Sequence, residues 1–384
     1  MIMAKNGVDM IPQKQLTPKR MLGCGFLALL ATFIYCEFLM YFAILFQCHL
    51  PEPNLPNSIN AMIISDPHLI GPVRGHWYDR LRREWQMKRS FHAANILFKP
   101  DVVFILGDLF DEGDLVEDPE FYDYVSRFHD IFSVPKTTRI INVAGNHDVG
   151  FHYRMYSYFL DRFADKFNHT GVELVSIKDV HFIIINSMAM ENDGCEFCSK
   201  AMKELDTVSR KLKCLKIPEK CGLDPLKVPK YSLPIVMQHF PTFRESDQKC
   251  IEGDSPEFEV YRENWEVLSK KSTAILGNKL NPRLVFGGHS HHFCRLTNTI
   301  NVEEYTVASF SWRNKNNPSF LLAKFNADKH SISLCNMPKE STQRFIYTIM
   351  FLSLFILFIC YGFKMRTNRF LKYRKIHSDD LKFK

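Results

Sequence analysis

Five polar motifs along this chain each follow directly after a short aliphatic run, and this pattern constrains the fold more than any other feature. The runs are AMIIS, VVFIL, RIINV, PIVM and RLVF, and runs of this kind predict buried strands. Layered α/β proteins place their chemistry where strands end and loops begin. The sequence therefore predicts one site built from the motifs Asp66-Pro67-His68, Gly107-Asp108, Gly145-Asn146-His147-Asp148, Gln238-His239 and Gly288-His289-Ser290-His291.

The side chains in these motifs are ligands that divalent Mn, Fe or Zn accept. A two-metal centre needs about four protein ligands per ion and one group that bridges two ions about 3.5–4 Å apart. Any one motif alone is commonly an ordinary turn or a His-rich loop, whereas all five in one order predict a binuclear centre. The predicted ligands are Asp66, His68, Asp108 and His291 for one metal, and the bridging Asp108 with Asn146, His239 and His289 for the other.

Two further residues of the third motif are candidates for catalysis. His147 lies beside Asn146 but is not needed as a ligand, so we expect it to protonate the leaving alkoxide as a general acid. Asp148 is expected to orient His147. His292, the third histidine of the last motif, is expected to lie near the site without binding a metal.

The motif set D-P-H, G-D-L-F-D-E-G, G-N-H-D, Q-H-F-P and G-G-H-S-H, spread over residues 58–335, resembles the calcineurin-like metallophosphoesterase superfamily. The version with D-P-H-L and G-D-L-F-D-E-G between two apolar segments is similar to the membrane-bound subgroup. The resemblance implies a four-layer α/β/β/α sandwich flanked by two transmembrane helices. It also implies two divalent metal ions as cofactors, with manganese favoured and zinc or iron as alternatives.

The subgroup resemblance also implies a substrate. It implies a phosphodiesterase that removes an ethanolamine-phosphate branch from a mannose of GPI anchors and so aids export from the endoplasmic reticulum (ER). The implied partners are GPI-anchored proteins as substrates, together with GPI cargo receptors. The implied location is the early secretory pathway: ER exit sites, the ER–Golgi intermediate and the cis-Golgi. Two alternatives stay open, namely an enzyme for another membrane phosphoester such as a phospholipid head group, and a GPI-binding escort.

Two apolar segments are near the length that spans a bilayer. Residues 21–46 carry one charge, Glu37, and residues 345–363 carry none. The first predicts a signal anchor, with a cleaved signal peptide as the alternative. The predicted order is a cytosolic tail 1–20, a first span 21–46, a lumenal domain 47–344, a second span 345–363 and a basic cytosolic tail 364–384. Glu37 is expected to snorkel, to pair with the second span or to meet a polar lipid group, and a functional role is the alternative.

The net charge of +7 does not point to nucleic acid, because the surplus lies in the two tails. Residues 1–20 carry +3 and residues 364–384 carry +6, which leaves about −2 for the rest of the chain. Positively charged tails stay on the cytosolic side of a membrane. Both ends are therefore expected in the cytosol, with the domain between them in the lumen.

A glycosylation sequon and the cysteines agree with a lumenal domain. The sequon is Asn168-His169-Thr170, so Asn168 is the predicted glycan carrier. Residues 188–232 interrupt the strand pattern as a lysine-rich insertion with a cysteine cluster. In an oxidising lumen the cluster predicts disulfides, and a zinc ribbon is the alternative. The cluster contains Cys195, Cys198, Cys214 and Cys221.

Further elements complete the predicted sandwich. Residues 79–98 predict a helix that crosses between the first two strands. Four residues close behind the first motif are candidates to line the site, with a solvated helix face as the alternative: Arg74, His76, Trp77 and Arg80. Strand-like runs at Glu303–Val307, Phe320–Phe325 and Ser331–Cys335 are expected to close the second sheet.

Overall fold

The computed structural model describes residues 17–52, 55–151, 154–168, 171–191, 193–195, 197–255 and 260–380. These residues form two compact units. One unit holds the described parts of 1–39 and 341–384, and the other holds those of 40–340. The predicted tail 1–20 lies almost entirely outside the described residues, as do His169 and Thr170 of the sequon.

The larger unit is an α/β domain with two sheets. Its strands are β1 (Ile59–Ile64), β2 (Val102–Leu106), β3 (Arg139–Val143), β4 (Val172–Ile177), β5 (Val180–Ile185), β6 (Ile235–Gln238), β7 (Glu252–Gly253), β8 (Leu284–Gly287), β9 (Cys294–Thr297), β10 (Glu303–Thr306), β11 (Ser319–Phe325) and β12 (His330–Asn336). Its helices are α2 (Met40–Leu45), α3 (Trp77–Phe98), α4 (Asp118–Ile131), α5 (Asn146–Val149), α6 (Ser157–Phe167), α7 (Cys198–Lys216) and α8 (Lys270–Leu280).

The strand order brings the five motifs to the same edges of the two sheets. The first sheet runs β12-β11-β1-β2-β3, and the second runs β4-β5-β6-β8-β10-β9-β7. Strands β1, β2 and β3 are parallel to each other, and so are β5, β6, β8 and β10. The loops after β1, β2, β3, β6 and β8 carry the five motifs. Because the carboxyl ends of parallel strands share one edge, these loops lie together.

Side-chain alternation along the strands explains the four layers. In β1, Ala61 and Ile63 face a buried cluster that also holds Phe182 and Phe286 of the second sheet. Residues of the opposite face, such as Ile64, pack in the cluster that contains α3 and α4. The period of two along a strand thus places one face between the sheets and the other under helices. The second sheet is covered in the same way by α7 and α8, so the predicted α/β/β/α sandwich is confirmed.

Most predicted elements are present, but the position of the last two strands differs from the prediction. The predicted helix 79–98 corresponds to α3, and the strand-like runs after residue 300 correspond to β10, β11 and β12. However, β11 pairs antiparallel with β1 and β12 pairs with β11, so both belong to the first sheet. Only β10 joins the second sheet. The parallel strands of the first sheet leave the edge of β1 unpaired, and the returning chain covers that edge.

The lysine-rich insertion contains α7, which packs into the outer layer. It buries Ala201, Leu205, Val208 and Leu212, while its lysines face solvent. Its cysteines form the disulfides Cys195–Cys198 and Cys214–Cys221, which rules out the zinc ribbon. Two further disulfides, Cys48–Cys335 and Cys250–Cys294, tie distant parts of the domain together.

The smaller unit consists of apolar helices. Helix α1 (Pro18–Ile34) continues into a π-helical turn, Tyr35–Leu39, and α9 (Glu340–Asp380) extends well beyond the predicted second span and into the predicted basic tail. Two stretches, Pro18–Leu45 and Glu340–Arg374, are long and apolar enough to cross a membrane, which is compatible with a membrane protein.

The two apolar helices meet at a buried carboxylate. Glu37, in the π-helical turn, accepts hydrogen bonds from Gln343 Nε2 at 3.1 Å and from the Tyr347 hydroxyl at 2.7 Å. Gln343 Nε2 also donates to the Cys36 carbonyl oxygen at 2.8 Å. A buried carboxylate needs such donors to offset its lost hydration. Of the alternatives for Glu37, the structure therefore shows pairing with the second apolar helix.

Candidate metal centre

The seven predicted ligands converge at the shared edge of the two sheets. Five of them adopt the left-handed backbone region that non-glycine residues rarely enter. Their φ angles are 50° at Asp66, 46° at His68, 48° at Asp108, 69° at His289 and 62° at His291. These turns bend the chain sharply after each strand and aim the side chains into one pocket. Strained backbone of this kind is typical of functional sites.

The first group of donors has the spacing expected around one ion. His68 Nε2 lies 3.1 Å from His291 Nε2, 3.4 Å from Asp108 Oδ2 and 3.8 Å from Asp66 Oδ1. His291 Nε2 lies 3.7 Å from the same Asp66 oxygen. Donors about 2.0–2.2 Å from an ion stand roughly 3–3.5 Å from each other. The four side chains Asp66, His68, Asp108 and His291 therefore fit one metal ion.

The second group shares an oxygen with the first. Asp108 Oδ2 is 3.4 Å from His239 Nε2 as well as 3.4 Å from His68 Nε2. His239 Nε2 is in turn 3.0 Å from Asn146 Oδ1 and 3.3 Å from His289 Nδ1. One carboxylate thus faces both donor groups, which is the geometry of a bridging ligand.

Acceptors on the far side of three of the imidazoles determine which nitrogen faces the pocket. Nδ1 of His68 lies 3.1 Å from Asp111 Oδ1, and Nδ1 of His239 lies 2.7 Å from the Leu106 carbonyl oxygen. Nε2 of His289 lies 3.0 Å from the Trp265 carbonyl oxygen. A ring nitrogen that donates its proton to such an acceptor leaves the other nitrogen free for a metal.

Glycines in the motifs keep the donor groups close. A Cβ at Gly145 would come within 2.2 Å of Asp108 Oδ1, and a Cβ at Gly288 would come within 1.9 Å of Ser65 Oγ. A side chain at Gly145 would separate two ligand-bearing loops of the first sheet, and one at Gly288 would separate a loop of the second sheet from a loop of the first. The glycines of the third and fifth motifs are therefore part of the site's construction.

The charges in the pocket determine the protonation states of the candidate ligands. Burial opposes ionisation of Asp108, but the imidazoles of His239 and His147 outweigh it and hold the Asp108 pKa well below its usual range. Burial likewise opposes protonation of His239, yet Asp108 raises the His239 pKa to about 9. Burial and the neighbouring His239 lower the pKa of His289 to about 3. Without a metal, Asp108 is therefore ionised and His289 is neutral, whereas His239 carries a proton that a bound metal ion would displace.

His147 stands beside both donor groups without joining them. Its backbone N–H donates to Asp108 Oδ1 at 2.9 Å, and its Nδ1 lies 2.9 Å from the Asp111 carbonyl oxygen. Arg74 Nη1 lies 3.0 Å from the same Nδ1. These contacts hold the ring from behind, and its Nε2 is the remaining nitrogen for proton transfer to a substrate.

The expectation for Asp148 needs correction. Its carboxylate accepts hydrogen bonds from the backbone N–H of Phe110 at 3.0 Å and of Gly145 at 2.8 Å. It therefore joins the loops that carry Asp108 and Asn146 and does not orient the His147 ring. The carboxylate is directed back into the domain because α5 begins at Asn146 and turns residue 148 away from the pocket.

Asp111 is a functional residue that the motif analysis did not single out. One carboxylate oxygen, Oδ1, contacts His68, and the other accepts from Arg313 Nη2 at 2.8 Å. Its carbonyl contacts His147 and also accepts from Arg74 Nη1 at 2.8 Å. The sequence does carry a sign of this role, because Asp111 is the second Asp of the segment Gly107-Asp108-Leu109-Phe110-Asp111. The contribution of Arg313 could not be predicted from the sequence, because it comes from a distant loop.

His292 lies outside the donor groups, as expected. Its Nδ1 is 3.4 Å from Lys315 Nζ and 3.8 Å from Asp254 Oδ1. These partners turn the ring away from the two metal positions.

The calcineurin-like phosphoesterase family model matches residues 59–293 of this chain. The chain belongs to the calcineurin-like phosphoesterase family. This phosphoesterase is 48% identical over 351 residues to "Metallophosphoesterase 1 homolog" of Drosophila melanogaster, covering 90% of this chain and 94% of the fly protein. It is 42% identical over 333 residues to "Metallophosphoesterase 1" of Ailuropoda melanoleuca, covering 83% of this chain and 84% of that relative.

Two solved structures align with this chain at low sequence identity. A dimetal phosphatase from Danio rerio aligns over 73% of this phosphoesterase and 99% of its own chain, with 12% identity and a TM-score of 0.43. Purple acid phosphatase PPD1 from yellow lupin aligns over 72% of this phosphoesterase and 51% of its own chain, with 14% identity and a TM-score of 0.45. Family membership and the donor groups together make this chain a metal-dependent phosphoesterase whose site suits two divalent ions.

Substitutions of Asp108 and His147 distinguish a metal ligand from the general acid in this site. Asp108→Ala should lose both metal and turnover, because it removes the shared carboxylate. His147→Ala should keep its metal yet lower turnover by about 10²–10⁴, the usual contribution of a general acid. Metal content by mass spectrometry and rates on an alkyl phosphodiester measure both effects.

A leaving group of low pKa provides the control. It needs little protonation, so it should restore part of the His147→Ala rate but none of the Asp108→Ala rate. Equal metal loss in the two variants would show that His147 is not the acid.

Proposed function

We propose that this phosphoesterase is a membrane-anchored phosphodiesterase that removes an ethanolamine-phosphate branch from a mannose of GPI anchors. The observation that carries the proposal is a full set of candidate metal ligands in a domain that two apolar helices flank along the sequence, in a chain that aligns with 94% of the fly relative. The subgroup resemblance supplies the substrate. A lipid-linked glycan is confined to the bilayer, so anchoring the site in the same membrane raises its local concentration.

Each part of the site has a role in this reaction. Asp66, His68, Asp108 and His291 would hold one ion, and Asp108, Asn146, His239 and His289 would hold the other. When bound, the ions supply charge to neutralise phosphate oxygens and to lower the pKa of an attacking water. His147 protonates the mannose oxygen as it leaves. Asp111 fixes the ring of His68, and Arg74 lies behind the ring of His147.

Manganese is the proposed metal, with zinc or iron as alternatives. The donor groups consist of carboxylate, amide and imidazole atoms, and no thiolate belongs to the seven ligands. Four imidazole nitrogens and three oxygens form a donor set that zinc and iron also accept, and the subgroup resemblance favours manganese.

The proposed location is the early secretory pathway, with the catalytic domain in the lumen and both ends in the cytosol. The basic tails support this orientation. Asn168, the sequon residue, is exposed at the end of α6, where a glycan has room. The disulfides within the domain fit an oxidising compartment.

Glycosylation and tag protection test the orientation. Asn168 should carry an endoglycosidase-sensitive glycan that Asn168→Gln removes. Tags at either end should be accessible from the cytosol in cells whose plasma membrane alone is permeabilised. A C-terminal tag protected inside the lumen, or an unglycosylated Asn168, would reverse the proposed orientation.

Glycan analysis tests the substrate. Cells that lack this phosphoesterase should show GPI anchors with one additional ethanolamine-phosphate by mass spectrometry, and slower ER export of GPI-anchored proteins than of ordinary transmembrane cargo. The wild-type chain should restore both properties. Asp108→Ala should restore neither, because it removes the shared ligand.

Three outcomes distinguish the alternatives. Full rescue of export by Asp108→Ala with untrimmed glycans would support the binding escort. Unchanged GPI glycans with accumulation of a phospholipid head group would support the other membrane phosphoester. Rescue by the wild-type chain alone, with trimmed glycans, supports the proposed reaction.

A further inference from the structure

An exposed apolar surface at the amino-terminal end of α3 is made by Trp77, Tyr78 and Leu81 of the helix and by Val73, which precedes it. Their side chains are 68%, 67%, 56% and 59% exposed. Trp77 and Leu81 are four residues apart and lie on one face of the helix. Two of the four residues are Trp and Tyr, the amphipathic aromatics that favour the boundary between lipid and water. We call these four residues the α3 apolar surface.

The same helix holds the residues that lead into both candidate spans. Glu340, the first residue of α9, accepts from Arg82 Nε at 3.3 Å and from Arg83 Nη1 at 2.7 Å. At the other side, α2 is the last turn of the first candidate span. Its Tyr41 is buried in the cluster that includes Phe91 of α3.

A disulfide fastens the two chain ends to the domain. Cys48 follows α2 by three residues, and its partner Cys335 precedes Glu340 by five. The Trp312 indole also donates to the Pro338 carbonyl oxygen at 2.8 Å, and the Arg82 guanidinium lies over the Trp312 ring, 5.1 Å from its centroid. The chain therefore leaves the domain for both apolar helices at residues that are held against α3.

The separation along α3 is short enough for contact with lipid head groups. Trp77 precedes Arg82 by five residues, which is about 8 Å at 1.5 Å per residue. The head-group layer on each side of a bilayer is roughly 5–8 Å thick. The α3 apolar surface thus starts within one head-group layer of the point where α9 is held.

The surface is also continuous with the metal centre. Arg74 follows Val73 directly, and its guanidinium contacts His147. The carboxylate of Glu112 binds the backbone N–H groups of both Val73 and Arg74, so this loop is fixed between the exposed surface and the pocket. A lipid-linked substrate lying along α3 would arrive beside the general acid.

We propose that the α3 apolar surface binds the bilayer interface and so directs the mouth of the metal centre toward the membrane. This inference rests on the membrane anchoring in the proposed function. The occupant is a lipid surface because the chain leaves the domain for both apolar helices at residues that are held against α3, and a tethered contact needs little intrinsic affinity. The indole and phenol rings insert at head-group depth while the pocket stays in water.

Tryptophan fluorescence tests the contact directly. The chain has four tryptophans, Trp77, Trp85, Trp265 and Trp312, and all lie outside the candidate spans. In nanodiscs of phosphatidylcholine, full-length protein should lose part of its emission when the acyl chains are brominated near the head group. Trp77→Phe should abolish most of that loss. No quenching, or unchanged quenching in Trp77→Phe, would overturn the proposal.

Turnover on two substrates tests the consequence. Trp77→Ser/Tyr78→Ser/Leu81→Ser should slow hydrolysis of a bilayer-embedded mannosyl ethanolamine phosphodiester about fivefold to tenfold, as expected for a lost tethered contact. Hydrolysis of soluble bis(p-nitrophenyl) phosphate should stay within about twofold. The matched control Ile217→Ser/Leu223→Ser/Leu226→Ser, also on exposed apolar positions, should change neither rate.

The remaining outcomes have definite meanings. An equal loss on both substrates would assign the α3 residues to pocket structure, and an equal loss in the control variant would assign the effect to general surface change. Either result overturns the proposal. If the chain does not copurify with nanodiscs at all, the membrane anchoring itself fails. Copurification without Trp77 quenching rejects only the α3 contact.

Discussion

The carboxylate of Asp108 is the interaction on which the rest of this structure depends. Oxygen Oδ2 lies 3.4 Å from His68 Nε2, which is on the first sheet's side, and 3.4 Å from His239 Nε2, which is on the second sheet's side. Oxygen Oδ1 accepts from the backbone N–H of His147. Asp108 thereby joins the sheets, the two donor groups and the general acid. A buried carboxylate is costly unless positive charge neutralises it. Without a metal, the imidazole of His239 supplies that charge, and a bound metal ion would take over this role.

Much of this arrangement follows from sequence because strand ends and ligand chemistry are local properties. Each aliphatic run became a strand, and each motif lies after its strand. All seven predicted ligands lie in one pocket because parallel strands bring their ends to one edge. The disulfide prediction for the cysteine cluster also held, because neighbouring cysteines in an oxidised domain pair locally.

Other features depend on tertiary packing that no local pattern encodes. The strands β11 and β12 joined the first sheet because β1 offered an unpaired edge, and edge availability is a property of the whole topology. Asp148 turned to the backbone of Phe110 and Gly145 because α5 fixes its direction. Arg313 reaches Asp111 from 202 residues away, so its contribution to the His68 orientation could not be predicted. The left-handed backbone at five ligands was equally hidden, since none of them is glycine.

The most direct test of the account is whether Asp108 bridges two ions. Full-length protein reconstituted with Mn²⁺ should bind two ions per chain by elemental analysis. Its electron paramagnetic resonance spectrum should show exchange coupling, because a shared carboxylate holds ions about 3.5–4 Å apart. Coupling should disappear in Asp108→Asn. One ion per chain at saturation, or two ions with an uncoupled spectrum, would contradict the bridged centre.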